Sequence, residues 1–205
     1  MKDIHIVFVH GWGAGPDIWD SIISELSEFN CHSLDLGFTG HQTPLDNMLQ
    51  EKSVYVTHSL GTIWALQNCN QFMRGLIAIN GFSSFQDFVD MRTLKRMKLN
   101  LKRNPEAQMQ AFWDKTTLHA NDQLHVERLD EGLGWLMNSD CRKQLSALHC
   151  PVHAVFGNDD PLLDTQLMKD HWDGYPCHIF EGGHNLPHTH SQKCADLIKG
   201  VFDAL

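Results

Sequence analysis

Short apolar runs alternate along the chain with segments whose apolar residues recur every three or four positions. The first run, Ile4 to Val9, is rich in β-branched residues and ends at a glycine turn, which predicts a buried strand. Pro16 then opens a segment whose apolar residues recur with helical spacing as far as Phe29, which predicts a helix. Further strands are predicted at Cys31 to Leu36, Val54 to Val56, Gly75 to Asn80, Val152 to Gly157 and Cys177 to Glu181. Strands that alternate with helices indicate an α/β fold with a mostly parallel, doubly wound sheet.

The strand pattern is interrupted between residues 83 and 149. This segment has helical periodicity and few β-like runs, so we interpret it as a helical cap inserted between two strands. The sheet core is then expected to comprise residues 1–82 and 150–205. Because the first predicted strand begins almost at the first residue, we also expect a shortened N-terminus.

Length and composition narrow the functional classes. A chain of 205 residues suits one domain with a substantial core. It has neither a long apolar run nor a charged leader before an apolar stretch, so we expect a soluble, cytoplasmic protein without a membrane association. Its six cysteines form no Cys-x-x-Cys pair and its fourteen histidines are scattered, so reduced and mostly buried thiols, no metal and no cofactor are expected.

Charge is distributed unevenly. The formal net charge is -9, which argues against nucleic acid as a partner. Residues 91–104 nevertheless carry six basic residues and no acidic one. The basic residues of this segment are Arg92, Lys95, Arg96, Lys98, Lys102 and Arg103. Such a run is usually a solvated helix face, but a positive patch on an acidic protein also suits docking of an acidic partner.

Ser59 lies in Thr57-His58-Ser59-Leu60-Gly61, between an apolar run and a helix-like stretch. This arrangement is typical of a nucleophile elbow, in which a sharp strand-to-helix turn exposes the serine hydroxyl. Gly61 suits the close backbone approach that such a turn needs. Thr57 stands where the motif usually has glycine.

A nucleophilic serine needs a base and a group that orients the base. The predicted strand ending at Gly157 is followed by Asp159 and Asp160, and the strand ending at Glu181 is followed by His184. We predict Asp160 as the acid in preference to Asp159, because it directly precedes the Pro161 turn. Asp164 is expected to cap the next helix. His184 is preferred to His188 and His190 because two glycines precede it.

The loop His10-Gly11-Trp12-Gly13 follows the first predicted strand. Two backbone N–H groups must stabilise the oxyanion of an acyl-transfer reaction, and we assign them to Trp12 and Leu60. The glycines of this loop could also indicate a phosphate-binding turn. That alternative fails because position 16 is proline and no Lys-Ser/Thr pair follows.

These motifs resemble those of α/β-hydrolases, in which the chain order is Ser, Asp, His. Within that superfamily the sequence is similar to the pimeloyl-[acyl-carrier protein] methyl ester esterases of biotin synthesis over nearly its whole length. The likeness rests on Val9 to Gly13, Glu131 to Leu133, Asp140 to Arg142, Gly157 to Asp160, Gly183 to Pro187 and Cys194.

The resemblance implies a catalytic triad of Ser59, Asp160 and His184, with Trp12 and Leu60 as oxyanion donors. It further implies that Phe112 and its neighbour Trp113 join Trp12 and Leu60 in contacting the substrate. An acyl-carrier protein is the implied partner of a monomeric enzyme. The carrier protein is expected to contact the basic residues Arg92, Lys95, Arg96, Lys102 and Arg103 of this chain.

Two other functions stay open at this point. One is a general short-chain carboxylesterase or thioesterase of the same fold, which would not depend on a carrier protein. The other is a noncatalytic hydrolase-fold protein that binds a ligand or partner. Labelling of Ser59 by a fluorophosphonate would contradict the second alternative.

Overall fold

A six-stranded sheet forms the centre of the computed structural model, which describes residues 5–43, 52–119 and 123–203. Every strand pair in this sheet is parallel, and the strand order is β2-β1-β3-β4-β5-β6. The strands are β1 (His5–Val9), β2 (Asn30–Leu34), β3 (Ser53–His58), β4 (Met73–Ile79), β5 (Val152–Gly157) and β6 (Cys177–Phe180). The predicted parallel α/β architecture is therefore confirmed. The order reverses beside β1, and open sheets bind ligands at such a switch point.

Helices lie in the connections between the strands and, in two cases, after the last strand. They are α1 (Asp20–Ser24), α2 (Leu60–Asn68), α3 (Met91–Arg103), α4 (Pro105–Thr116), α5 (Val126–Asn138), α6 (Arg142–Ser146), α7 (Thr165–His171), α8 (Leu186–Thr189) and α9 (Ser191–Asp203). The helix predicted from Pro16 begins with the 3-10 turn Pro16–Trp19 and ends early, at Ser24. Within the described ranges, no helix has the length and apolar character needed to cross a membrane.

Alternate side chains of each central strand pack on opposite faces of the sheet, as the two-residue period of a strand requires. In β1, Ile6 and Phe8 join the core that contains α1 and α9. Val7 and Val9 join the opposite core, which contains α2 and extends into α3, α4 and α5. Both faces are thus covered by helices, and the strand ends become the accessible part of the sheet.

The helices α3 to α6 lie between β4 and β5, within the segment predicted as a cap. The two ends of this insertion meet, because Ser84 forms a β-bridge with Asp140 and the Cys141 N–H donates to the Ser83 carbonyl at 2.7 Å. The Ser83 N–H in turn donates to His171 Nε2 on α7 at 2.9 Å. The base of the insertion is therefore tied to the sheet layer.

All six cysteines are free thiols, as predicted. Cys69, Cys141 and Cys194 are buried, and burial raises the pKa of Cys194 to about 12. Cys31 and Cys150 are half-buried. Cys177 is exposed, in contrast to the expectation of mostly buried thiols, because it begins the edge strand β6.

Candidate active site

Ser59 occupies the turn between β3 and α2 with φ 51° and ψ -124°. A positive φ is uncommon for a residue with a side chain and marks a strained turn. Gly61 permits this turn, because a Cβ atom there would lie 2.4 Å from the carbonyl oxygen of Val9. The predicted elbow is present, and the backbone of β1 makes the glycine necessary.

Thr57 lies at the end of β3 and is fully buried. Its hydroxyl forms a 2.7 Å hydrogen bond with the hydroxyl of Thr62 in the first turn of α2. A Cβ atom at Gly81 would lie 2.0 Å from the same Thr62 oxygen. The threonine that replaces the usual elbow glycine is accommodated by a polar partner on α2 and by a glycine after β4.

His184 and Asp160 meet Ser59 from two neighbouring loops. The Ser59 hydroxyl donates to His184 Nε2 at 3.2 Å, and His184 Nδ1 donates to Asp160 Oδ2 at 2.7 Å. The His184 and Asp160 side chains are buried, and Ser59 keeps 8% of its surface exposed. These distances are those of a nucleophile, a base and an orienting carboxylate.

Burial alone would raise the pKa of Asp160. The attraction of His184, its hydrogen bond and the N–H of Leu162 outweigh burial and hold the pKa of Asp160 below its ordinary value. The other oxygen, Oδ1, accepts from the N–H groups of Leu162 at 2.8 Å and Leu163 at 3.2 Å. The carboxylate therefore stays ionised, with both oxygens hydrogen-bonded.

The other candidates lie elsewhere. Asp159 is exposed, and its N–H donates to the Gly182 carbonyl at 3.0 Å. Asp164 caps α7, as expected, by accepting from the backbone N–H groups of the helix at 2.9 and 3.0 Å. His188 is exposed, and His190 contacts the Thr189 hydroxyl. The geometry thus separates Asp160 and His184 from their neighbours.

The loop after β1 presses against the elbow. A Cβ atom at Gly11 would lie 3.0 Å from Ser59 Cβ, so only glycine fits without displacement. Trp12 follows, buried, with its ring N–H donated to the Leu129 carbonyl at 2.8 Å. Leu60 begins α2, so its N–H has no intrahelical acceptor. Both predicted oxyanion donors therefore flank Ser59 in the chain segments that meet here.

A cavity of about 460 Å³ opens at Ser59. Trp12, Pro161 and Leu162 also line it. Aromatic and aliphatic side chains of the insertion and of the loop before it line much of the remainder, and these are Phe82, Phe85, Phe88, Val89, Leu94, Met97, Phe112 and Leu136. Sequence reasoning missed the phenylalanines at 82, 85 and 88, although their close spacing after β4 was visible.

The two aromatic residues predicted as substrate contacts differ. Phe112 lines the cavity and packs edge-on against Trp12, with ring centroids 4.7 Å apart. Trp113 does not line it, because its indole N–H is donated to the Gly13 carbonyl at 2.8 Å. Leu60 is buried and also lies outside the lining. Trp113 instead ties α4 to the loop that carries Trp12.

The basic residues predicted to contact a carrier protein lie on α3. All are exposed, and none forms an ion pair with an acidic side chain in the described ranges. They are Arg92, Lys95, Arg96, Lys102 and Arg103. Lys98 differs, because it is bound to Asp130 at 3.0 Å. Arg96 also lines the cavity, together with Lys115 of α4.

Two buried polar residues that sequence reasoning did not select contact the His184 loop. Asn80, at the end of β4, and His58, beside Ser59, both donate to the His184 carbonyl. β4 ends at Ile79, one residue before the predicted boundary, because Asn80 leaves the strand conformation with a φ of 46°. A polar residue that closes an apolar strand was the signal that could have revealed Asn80. Among the described residues, no group of three His, Cys, Asp or Glu side chains could hold a metal ion.

Comparison with known proteins gives a consistent result. The chain is 26% identical to the pimeloyl-[acyl-carrier protein] methyl ester esterase of Proteus mirabilis, in an alignment that covers 98% of this chain and 93% of that protein. The enzyme of the same name from Shewanella woodyi is 25% identical, in an alignment that covers 81% of this chain and 80% of that protein. Both alignments cover most of this chain and most of the relative.

Solved structures agree in fold. An esterase from Exiguobacterium antarcticum superposes with a TM-score of 0.80 at 14% identity, covering 98% of this chain and 92% of that one. A lipase-esterase related protein from Clostridium acetobutylicum gives a TM-score of 0.72 at 21% identity, with 98% and 96% coverage. The family model described as "Alpha/beta hydrolase family" matches residues 6–197. With its parallel sheet, serine elbow and Ser-Asp-His order, the chain therefore belongs to the alpha/beta hydrolase family.

Proposed function

We propose that this protein is a serine carboxylesterase that hydrolyses the methyl ester of pimeloyl-[acyl-carrier protein] and releases methanol, as a step of biotin synthesis. One observation carries the catalytic part: Ser59, His184 and Asp160 form a continuous hydrogen-bonded chain at the wall of an apolar cavity. The similarity to methyl ester esterases over 98% of the chain supports the substrate.

In the first half-reaction, His184 Nε2 accepts the Ser59 proton as Oγ attacks the ester carbonyl carbon. The resulting oxyanion accepts hydrogen bonds from the N–H groups of Trp12 and Leu60. The intermediate collapses when His184 returns the proton to the methoxy oxygen, and methanol leaves. An acyl group then remains on Ser59.

In the second half-reaction, water loses a proton to His184 and attacks the acyl carbonyl. Ser59 recovers its proton as the free acid departs, so one ester and one water yield one acid and one methanol. Asp160 stays ionised throughout and stabilises the imidazolium form of His184. Its pKa, held below the ordinary value, suits that role.

The acyl chain fits the apolar part of the cavity, where Phe82, Phe85 and Phe112 supply hydrophobic surface. In this proposal residues 83–149 act as a cap over the site, and the acyl chain runs outward between α3 and α4. Arg96 and Lys115 border that route. The ester end thus reaches Ser59 while the carrier end stays outside.

The exposed basic face of α3 provides the carrier contact. The protein carries a net charge of -9, so an acidic partner needs a local surface of opposite sign. Arg92, Lys95, Arg96, Lys102 and Arg103 form this surface. Leu99 projects among them with 57% exposure and offers an apolar contact at its centre.

A comparison of three substrates tests the proposal. The purified protein is offered methyl-pimeloyl carrier protein, free monomethyl pimelate and a pimeloyl carrier protein that lacks the methyl group. We expect ester cleavage with a kcat/KM highest for the methylated carrier protein and no cleavage of its thioester. Equal rates for the free and carrier-bound esters indicate a general esterase. Loss of the thioester indicates a thioesterase, and either result contradicts the proposed substrate.

A further inference from the structure

The base of the candidate triad has little side-chain anchorage on its N-terminal side. His184 follows Gly182 and Gly183, and glycine leaves backbone conformations freer than any other residue does. The 3.2 Å contact between His184 and Ser59 nevertheless requires a fixed backbone at His184. The groups that hold its main chain therefore decide how well the imidazole is aligned.

Two buried side chains converge on the His184 carbonyl oxygen. Asn80 Nδ2 donates to it at 2.8 Å and to the Gly183 carbonyl at 3.1 Å. His58 Nε2 donates to it at 2.9 Å. A carbonyl oxygen has two lone pairs, so these two donors use its full accepting capacity.

Asn80 also connects the His184 loop to the acid. The side-chain oxygen Oδ1 of Asn80 accepts from the Gly157 N–H at 2.9 Å, and the main-chain N–H of Asn80 donates to the Val155 carbonyl at 2.7 Å. Gly157 ends β5, three residues before Asp160. The amide of one side chain thus bridges the strand that precedes the acid and the loop that carries the base.

His58 is suited to donate without adding charge. Burial and the neighbouring His184 lower the pKa of His58 to about 3, so its ring is neutral. The acceptor of its Nε2–H is a carbonyl, and its Nδ1 is buried without a hydrogen-bond partner. Its ring centroid lies 4.9 Å from that of His184. A charged ring at this distance would oppose the imidazolium that His184 forms during catalysis.

We propose that Asn80 and His58 are positioning residues. By donating hydrogen bonds to the main-chain carbonyl of His184, they align the His184 imidazole with Ser59 and Asp160. The proposal rests on the function proposed above, because it assigns His184 as the base. Neither residue touches the reacting atoms. Loss of these hydrogen bonds lets the His184 backbone shift, and misplacement of a catalytic group by about 1 Å can slow a reaction by roughly 10²-fold.

Two variants of Asn80 test this role. Asn80→Gly removes the side chain at a φ of 46°, a conformation that glycine accepts without strain, so the fold should persist. Asn80→Asp keeps an acceptor for Gly157 but loses both donors. We expect both variants to react with a fluorophosphonate roughly tenfold to 10²-fold more slowly than the wild type, with a lower kcat and little change in KM for a small p-nitrophenyl ester.

His58 offers a matched pair. Glutamine can present an amide N–H near the position of Nε2, whereas leucine has similar bulk and no donor. We expect His58→Gln to keep most of the labelling rate and His58→Leu to lose as much as Asn80→Gly. Equal rates for the glutamine, leucine and wild-type proteins would overturn the role of His58.

A second readout separates this inference from the proposed function. The His184 Nδ1–H proton, hydrogen-bonded to Asp160 at 2.7 Å, should give a low-field proton NMR resonance. If the wild type shows the resonance but no labelling, and Asn80→Gly abolishes the resonance, the esterase proposal fails and the positioning role stands. A resonance and a labelling rate that stay unchanged in folded Asn80→Gly and Asn80→Asp overturn the positioning role.

Discussion

The candidate catalytic groups and the basic face of α3 are built in opposite ways. Ser59, His184 and Asp160 lie in loops that follow parallel strands and are hydrogen-bonded to one another, and the His184 and Asp160 side chains are buried. The five basic side chains of α3 proposed for docking are exposed, and no carboxylate among the described residues pairs with them. The first region is thus connected by hydrogen bonds, while the second presents charges that have no acidic partner among the described residues.

This difference separates chemistry from substrate choice. A change in the buried site should affect every ester, because all esters use the same nucleophile, base and oxyanion donors. A change on α3 should affect only a substrate attached to an acidic partner. Variants of the two regions should therefore differ in which substrates they affect.

Replacement of the acid should slow cleavage of every ester. Asp160→Asn leaves a side chain of the same shape but an amide that no longer fixes the His184 tautomer. We expect kcat to fall by about 10⁴-fold for a p-nitrophenyl ester and for the carrier-bound substrate alike. Steady-state kinetics on both substrates check this, with Asp159→Asn as the control that retains activity. A selective effect on one substrate would contradict the separation.

Acid should destabilise the buried region through His58. Its pKa is about 3 in the folded protein and 6.5 ordinarily, so below pH 6.5 the unfolded chain binds a proton that the folded chain does not. This destabilisation is absent above pH 6.5 and grows by about 1.4 kcal/mol per pH unit as the pH falls toward 3. Urea denaturation between pH 7 and pH 4 should show a shallower loss for His58→Gln. If the unfolding free energies of the wild type and His58→Gln fall equally with pH, this role of His58 is refuted.

Charge reversal on α3 should act on the carrier substrate alone. We expect Arg92→Glu with Lys95→Glu to reduce kcat/KM for methyl-pimeloyl carrier protein by roughly tenfold or more at low salt, and to leave a small ester unaffected. The difference should shrink as salt screens the charges. Arg74→Glu with Lys169→Glu, two exposed positions outside α3, is the matched control. If both double variants lose the same activity, α3 is not the docking surface.

The threonine pair of the elbow should show coupling in stability. Thr57→Val or Thr62→Val alone leaves a buried hydroxyl without its 2.7 Å partner, which costs about 1–3 kcal/mol. The double variant should cost about 1 kcal/mol less than the sum of the two single variants. Urea denaturation of the four proteins measures this, and strict additivity would show that the hydroxyls do not support each other.

The sequence predicted the strands and their parallel arrangement, because both follow from local patterns of apolar residues. The residues of the candidate triad were selected from the same patterns. An apolar run that ends at a glycine or a polar residue predicts both a strand and the place where its loop begins. Ser59, Asp160 and His184 each follow such a run, so parallel pairing brings them to one edge.

Contacts between distant segments were harder to predict. The hydrogen bond between Asn80 and His184 joins residues 104 positions apart in the sequence, and the one between Trp113 and Gly13 joins residues 100 positions apart. No local periodicity encodes either. The helix from Pro16 was predicted too long for a related reason, since its apolar residues continue past Ser24 as turns that pack on the sheet. The expected division into core and cap, and the triad roles, stay predictions for experiment.

Mass spectrometry of methyl-pimeloyl carrier protein, incubated with the wild type or with Ser59→Ala, tests the central claim most directly. We expect the wild type to remove the mass of one methylene unit from the carrier-bound substrate and to release methanol in equal amount, and we expect Ser59→Ala to leave the substrate intact. An unchanged substrate with the wild type, while simple esters are still cleaved, would contradict the carrier-bound methyl ester as the substrate.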